Sequence, residues 1–162
     1  MKTVMTSGFP LTSRLVAKNG FVLQCWDDRY SKGIWAVCLP QSDYCEDVNS
    51  ASSAGDLDML PATDYLLDSD ADWLPIAVGN DLMDALEKLE ARLTQIDFSQ
   101  FQADSDWMKA VFAALDHFSE VTNDAAHDYG GMYDKFRKLP KDFTVISKAV
   151  QRQRNGGGEV KW

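Results

Sequence analysis

Apolar positions change their period partway along the chain. Phe21-Val-Leu-Gln-Cys-Trp26 and Ile34-Trp-Ala-Val-Cys-Leu39 are short runs rich in aromatic and β-branched residues, the composition of strands. The polar stretch Asp27-Asp-Arg-Tyr-Ser-Lys-Gly33 separates them and predicts an antiparallel hairpin. Asn19-Gly20 is a turn signal just ahead of the first run. It makes Arg14–Lys18 a preceding strand and the whole a three-stranded meander.

Residues 40–72 break the pattern. Gln41-Ser-Asp43 and Asn49-Ser-Ala-Ser-Ser-Ala-Gly-Asp56 are small, polar and acidic, and predict a loop. Asp58-Met-Leu-Pro61 and Tyr65-Leu-Leu67 predict short strands or turns within it. Trp73-Leu-Pro-Ile-Ala-Val78 is a brief apolar run that predicts one more strand.

Beyond residue 79 the period becomes helical. Leu82, Leu86, Leu89, Leu93 and Ile96 recur at i, i+4, i+7, i+11 and i+14. Asn80 or Asp81 suits the cap of that helix, and acids suit its first turns. A second helix is predicted over 104–126, with Trp107, Val111, Leu115, Phe118 and Thr122 on one face. Asp104 or Ser105 is its cap and Gly130-Gly131 its stop. A third runs from Pro140 to about Arg154 with Phe143, Ile146 and Val150 inward, and Gly156–Gly158 releases a short tail. The fold class expected is α+β: a small N-terminal antiparallel β-sheet, hairpin or meander, then an acidic connector and about three packed α-helices. The expected layout is one domain over 1–154, β-rich over 1–78 and helical over 79–154, with a flexible tail at 155–162.

Length and composition fit this picture. A chain of 162 residues with 45% hydrophobic side chains can bury about 70% of its unfolded surface. No apolar run approaches the roughly 18–20 residues of a membrane span. Met1–Pro10 carries one charge and no apolar core, unlike a secretory signal. Three cysteines, Cys25, Cys38 and Cys45, are an odd number at irregular spacing. That reads as thiols in a reducing compartment and a cytoplasmic protein.

Charge adds the most suggestive feature. From Gly33 to Glu87 there is no Lys or Arg among 55 residues, and there are twelve acids. Residues 1–32 carry +3, residues 88–134 carry −6 and residues 135–162 carry +6, within a net charge of −9. A one-signed field of this kind attracts basic partners and repels nucleic acid, membranes and acidic ligands.

Motifs for chemistry are incomplete. Asp68-Ser-Asp-Ala-Asp72 opens like a Ca²⁺ loop, but Trp73 stands at the turn-glycine position and Gly79 at the bidentate-Glu position. His117, Glu120, Asp124 and His127 form a helical stripe away from the apolar face. No nucleophile elbow, P-loop or dinucleotide fingerprint is present. No catalytic residue, metal or cofactor is assigned. Tyr129-Gly-Gly-Met-Tyr133 leads into Lys135, Arg137, Lys138 and Lys141, bases that suit pairing with the protein's own acidic body.

The reading that follows is a non-enzymatic acidic binding module. It would act as an inhibitor or regulator of a basic macromolecule, in the manner of a nucleic-acid mimic or an immunity or antitoxin protein. The partner-binding candidates are Tyr65, Asp68, Asp70, Asp72, Trp73, Asp81, Asp84, Glu87 and Glu90. Acids three or four apart on a helix sit about 5–6 Å from each other, and the two aromatics would serve as anchors. A basic protein is the expected partner, with neither nucleic acid nor membrane bound directly. The alternatives are a small metal-dependent enzyme using the Asp cluster or His117 and His127, and an assembly component or homodimer paired through the Leu82–Ile96 stripe.

Overall fold

The computed structural model describes residues 8–29, 33–53, 59–68 and 71–124. The expected third helix at 140–154, the tail and the Tyr129–Tyr133 segment lie outside them.

Residues 14–18 are not a strand. They belong to helix α1 (Pro10–Asn19), which buries Leu11 and Leu15 one turn apart. Proline at the first position costs that helix no hydrogen bond. The Asn19-Gly20 signal is the helix stop: Gly20 takes φ +71° and donates its N–H to the Leu15 carbonyl. A left-handed glycine ends a helix as readily as it turns a hairpin.

The hairpin itself is present. β1 (Val22–Asp27) pairs antiparallel with β2 (Ile34–Leu39), with Val22 opposite Leu39 and Asp27 opposite Ile34. The third strand is β3 (Ile76–Gly79), antiparallel to β2, which gives the order β1-β2-β3. β2 is central and buried from Trp35 to Leu39.

The acidic connector is largely helical, against the expectation of a loop. α2 (Ser42–Ser53) buries Tyr44, Cys45, Val48, Ala51 and Ser52, and α3 (Leu60–Leu67) buries Ala62, Thr63 and Leu66. The inward face of α2 is made mostly of small residues, so its 3.6-residue period is weak in the sequence. α4 (Leu82–Thr94) and α5 (Asp106–Asp124) match the two helices expected after residue 79. Asp81 caps α4 by accepting the Asp84 N–H at 2.8 Å, and Ser105 Oγ accepts the Met108 N–H at the start of α5.

The sheet lies between helices. Val22, Gln24 and Trp26 face α2, where the Trp26 indole donates to Ser52 Oγ at 2.9 Å. The alternate side of the pleat faces α4. There the backbones come close: a Cβ on Gly79 would sit 2.2 Å from the Ala85 nitrogen. α1 joins α4 on that side through a buried polar contact. Glu90 accepts hydrogen bonds from Leu11 N–H (2.7 Å), Thr12 N–H (2.9 Å) and Thr12 Oγ1 (2.7 Å). Phe9, at the N-cap position, gives α1 no side-chain cap, so a carboxylate from another helix satisfies its first donors. α5 packs on α2, and its first turn carries Trp107 onto Phe21 and Phe101. One continuous apolar core runs from Leu11 to Val121.

Candidate interaction surface

The nine residues singled out from sequence do not form one surface. Trp73 is buried, and its carbonyl accepts the Trp107 indole N–H at 2.9 Å. Tyr65 is half-buried against the core, and burial pushes its phenol pKa up. Both aromatics therefore belong to the interior more than to an interface. Glu90 is buried as the cap of α1. Asp84 accepts the Asn80 N–H at 2.7 Å and pairs with Lys88 at 2.9 Å. The Asn80 N–H and then Lys88 hold its carboxyl below the usual range. Asp72 is half-buried and Asp70 lies outside the described residues. Asp68, Asp81 and Glu87 are exposed, but Asp81 is occupied as a helix cap. Asp81, Asp84 and Glu90 thus have structural duties at helix N-termini, while Glu87 is simply exposed.

Other acids lie on α2 and α5 where these helices meet. Tyr44 packs edge-on against Phe112, with centroids 6.1 Å apart, and its hydroxyl donates to Asp116. One turn further along each helix, Ser119 Oγ donates to Asp47. These contacts place Asp47 and Asp116 in the seam; Asp43 lies four residues before Asp47 on α2 and Glu120 four residues after Asp116 on α5, two carboxylate pairs at i, i+4 spacing. Glu46 is a further acid on α2. Asp43, Glu46, Asp116 and Glu120 are exposed. Among the described residues no Lys or Arg pairs with any of the five.

Asp43, in the first turn of α2, sits where the helix dipole favours an acid, and Asp47 and Asp116 accept hydrogen bonds across the seam, whereas the later positions on α5 are less favourable for acids. Asp116 and Glu120 sit in the second half of α5, and neither α2 nor α5 has a base in its last turn. Carboxylates toward a helix C-terminus oppose the macrodipole by a few tenths of a kcal/mol each, and like charges at i, i+4 cost a similar amount. Three arginines are engaged elsewhere. Arg14 lies over the Phe98 ring at 4.3 Å, Arg29 donates to the Ser53 carbonyl, and Arg92 donates to the carbonyls of Ala71 and Leu74. Lys109 is the one base on α5, two turns before Asp116.

Tyr44 shows how the seam is built. Burial first, then its hydrogen bond to Asp116, pushes the phenol pKa up. It therefore stays a donor to Asp116. Sequence inspection passed over this seam because α2 was expected to be a loop. The available signal was the acid spacing 43, 46, 47 threaded between Tyr44, Cys45 and Val48.

Among the described residues no group of three or more His, Cys, Asp or Glu side chains is placed to hold an ion. His117 and Glu120 share α5, while His127 lies outside the described residues. Burial raises the Cys38 and Cys45 thiols to about 12 and about 11, which leaves them almost wholly protonated and poor nucleophiles near neutrality. No helix among the described residues is long and apolar enough to cross a membrane. No protein-family model matches the chain, and neither the curated proteins nor the solved structures contain a match.

Proposed function

We propose that the protein is a binding module that inhibits or regulates a basic macromolecule by occupying its positive surface. The observation that carries this reading is the α2–α5 seam. Asp47 and Asp116 accept hydrogen bonds across it, and Asp43, Glu46 and Glu120 are exposed on the same two helices, all without a partner base among the described residues. Two rows of carboxylates flanking a packed helix pair present spaced negative charge on a rigid support. Nucleic-acid mimics and immunity or antitoxin proteins use the same physics against basic enzymes. We place the protein in the cytoplasm. Three free thiols support that compartment.

Association with a basic protein should be fast and sensitive to ionic strength. The test is titration against a basic ribonuclease and a lysine-rich histone fraction over a salt series. Binding at low salt that weakens steeply as salt rises supports the reading. Affinity that is absent at low salt, or indifferent to salt, removes it.

A further inference from the structure

Lys135, Arg137, Lys138 and Lys141 fall within seven residues, and Lys148, Arg152 and Arg154 follow them. Residues 135–162 carry +6 within a net charge of −9, so residues 1–134 carry −15. The basic segment lies outside the described residues, but the chain fixes where it starts. α5 ends at Asp124, and ten residues, 125–134, separate it from Lys135. Ten residues span at most about 36 Å. Back along α5 from Asp124, Glu120 is about 6 Å away and Asp116 about 12 Å, at 1.5 Å per residue. The acids on the second half of α5 are well within reach of the bases that follow it.

The receiving face has no base of its own to neutralise it. Asp43 and Glu46 of α2 and Asp116 and Glu120 of α5 are exposed, and neither helix has a base in its last turn. The C-terminal end of α5 adds negative partial charge, which favours cations there. Acids of α4 are already engaged: Asp84 holds Lys88, Asp81 caps α4 and Glu90 caps α1.

We propose that the segment from Lys135 to Arg154 docks on the acidic face of α2 and α5 of its own chain and occupies it until a basic partner displaces it. Opposite charge and a short covalent connection select this occupant. A tethered group that can span to its site acts at an effective concentration on the order of 1 mM. A free partner must outcompete it, so only a surface more basic than the segment gains the seam. This self-occupation rests on the proposed capture of basic proteins at the seam, and it supplies the regulation of that site. The docking itself needs no partner and is measured without one.

The test uses the full chain and has two arms. In the first, a carbodiimide joins lysine amines to carboxylates in contact: an amide forms and the carbodiimide takes up the water as a urea. Peptide mapping of the monomeric product locates the bonds. At low salt they should join Lys135, Lys138 or Lys141 to Asp43, Glu46, Asp116 or Glu120, and they should fade at high salt. Links that are absent, or no more frequent there than on the exposed Asp64, Glu87 and Asp104, overturn the docking. In the second arm, one variant carries Lys135→Gln, Lys138→Gln and Lys141→Gln. The other carries Arg14→Gln, Lys18→Gln and Lys88→Gln at exposed positions, so both lose the same charge. Binding to a basic ribonuclease at low salt should tighten about fivefold or more in the first variant and little in the second. Equal gains in the two overturn the regulation. If the ribonuclease binds none of the three proteins, the proposed function fails, and the cross-links still decide the docking.

Discussion

Glu90 offers the sharpest quantitative check on the fold. Its carboxylate accepts two main-chain N–H groups and one hydroxyl from the first turn of α1, at 2.7, 2.9 and 2.7 Å. Glu90 and Thr12 are both buried. Replacing Glu90 with Ala leaves three donors with no acceptor. Each buried unmet donor costs about 1–3 kcal/mol. The simple sum is an upper bound, because the vacated space admits water and α1 can shift. Removing one partner from a buried charged contact typically costs about 3–5 kcal/mol, and Glu90→Ala should fall there. That is a large share of a stability of about 5–15 kcal/mol. Glu90→Gln keeps one acceptor oxygen but turns an amide toward a donor, and should cost about 2 kcal/mol. Thr12→Ala removes one of the three bonds and should cost about 1 kcal/mol in the wild type but much less in Glu90→Ala. The resulting coupling is about 1–2 kcal/mol. Urea unfolding followed by tryptophan fluorescence and far-UV circular dichroism measures all four proteins. If Glu90→Ala costs under about 1 kcal/mol with an unchanged urea slope, the carboxylate is not the cap of α1.

Other consequences are simpler to measure. Gly79→Ala places a Cβ 2.2 Å from the Ala85 nitrogen and 2.6 Å from its Cα. Because these are backbone atoms, α4 must move, and a loss of about 2 kcal/mol or more is expected in thermal unfolding. In the native protein Cys25 should react with a thiol reagent at pH 8 well before Cys38 and Cys45, whose thiols are buried and raised to about 12 and about 11. Simultaneous labelling of all three would contradict the packing. Tyr44 should ionise above the ordinary phenol value of 10.0. A phenol raised in the fold adds stability that is complete below its unfolded pKa and lost as pH rises through the folded one. Difference absorbance against Tyr44→Phe should thus show one tyrosine titrating late, with stability falling in that alkaline window. Asp28→Asn should weaken the 2.8 Å bond from the buried Trp35 indole, at about 1–2 kcal/mol in urea unfolding.

The sequence was most legible where large apolar side chains recur. The two hairpin strands and the stripes of α4 and α5 could be read directly, because Trp35, Leu89, Leu93, Trp107 and Phe118 face one core. α2 escaped notice because its inward residues, Cys45, Ala51 and Ser52, are small, while Asp, Asn and Ser favour turns in isolation. α1 was hidden by an ambiguous glycine, since the same left-handed residue serves a helix stop and a turn. The candidate site suffered most. Trp73 beside a run of aspartates resembles an exposed anchor, and only the tertiary fold shows it under α5. The row Asp81, Asp84, Glu87, Glu90 has the spacing of a charged face. Yet one end caps α4 and the other is drawn inward to cap α1. Acids are cheap to count and hard to place, because the same residue type serves caps, buried polar contacts and open surface.

The seam on α2 and α5 is the central assignment, and a matched-charge comparison tests it most directly. One variant carries Asp43→Asn, Glu46→Gln and Glu120→Gln. The other carries Asp64→Asn, Glu87→Gln and Asp104→Asn, also exposed, so both lose the same formal charge. Binding of each to a basic ribonuclease is measured at low salt beside the wild type. The seam variant should lose tenfold or more in affinity, about 1.4 kcal/mol, while the other stays close to wild type. Equal losses in the two would mean that net charge alone governs binding, and that the α2–α5 seam is not the site.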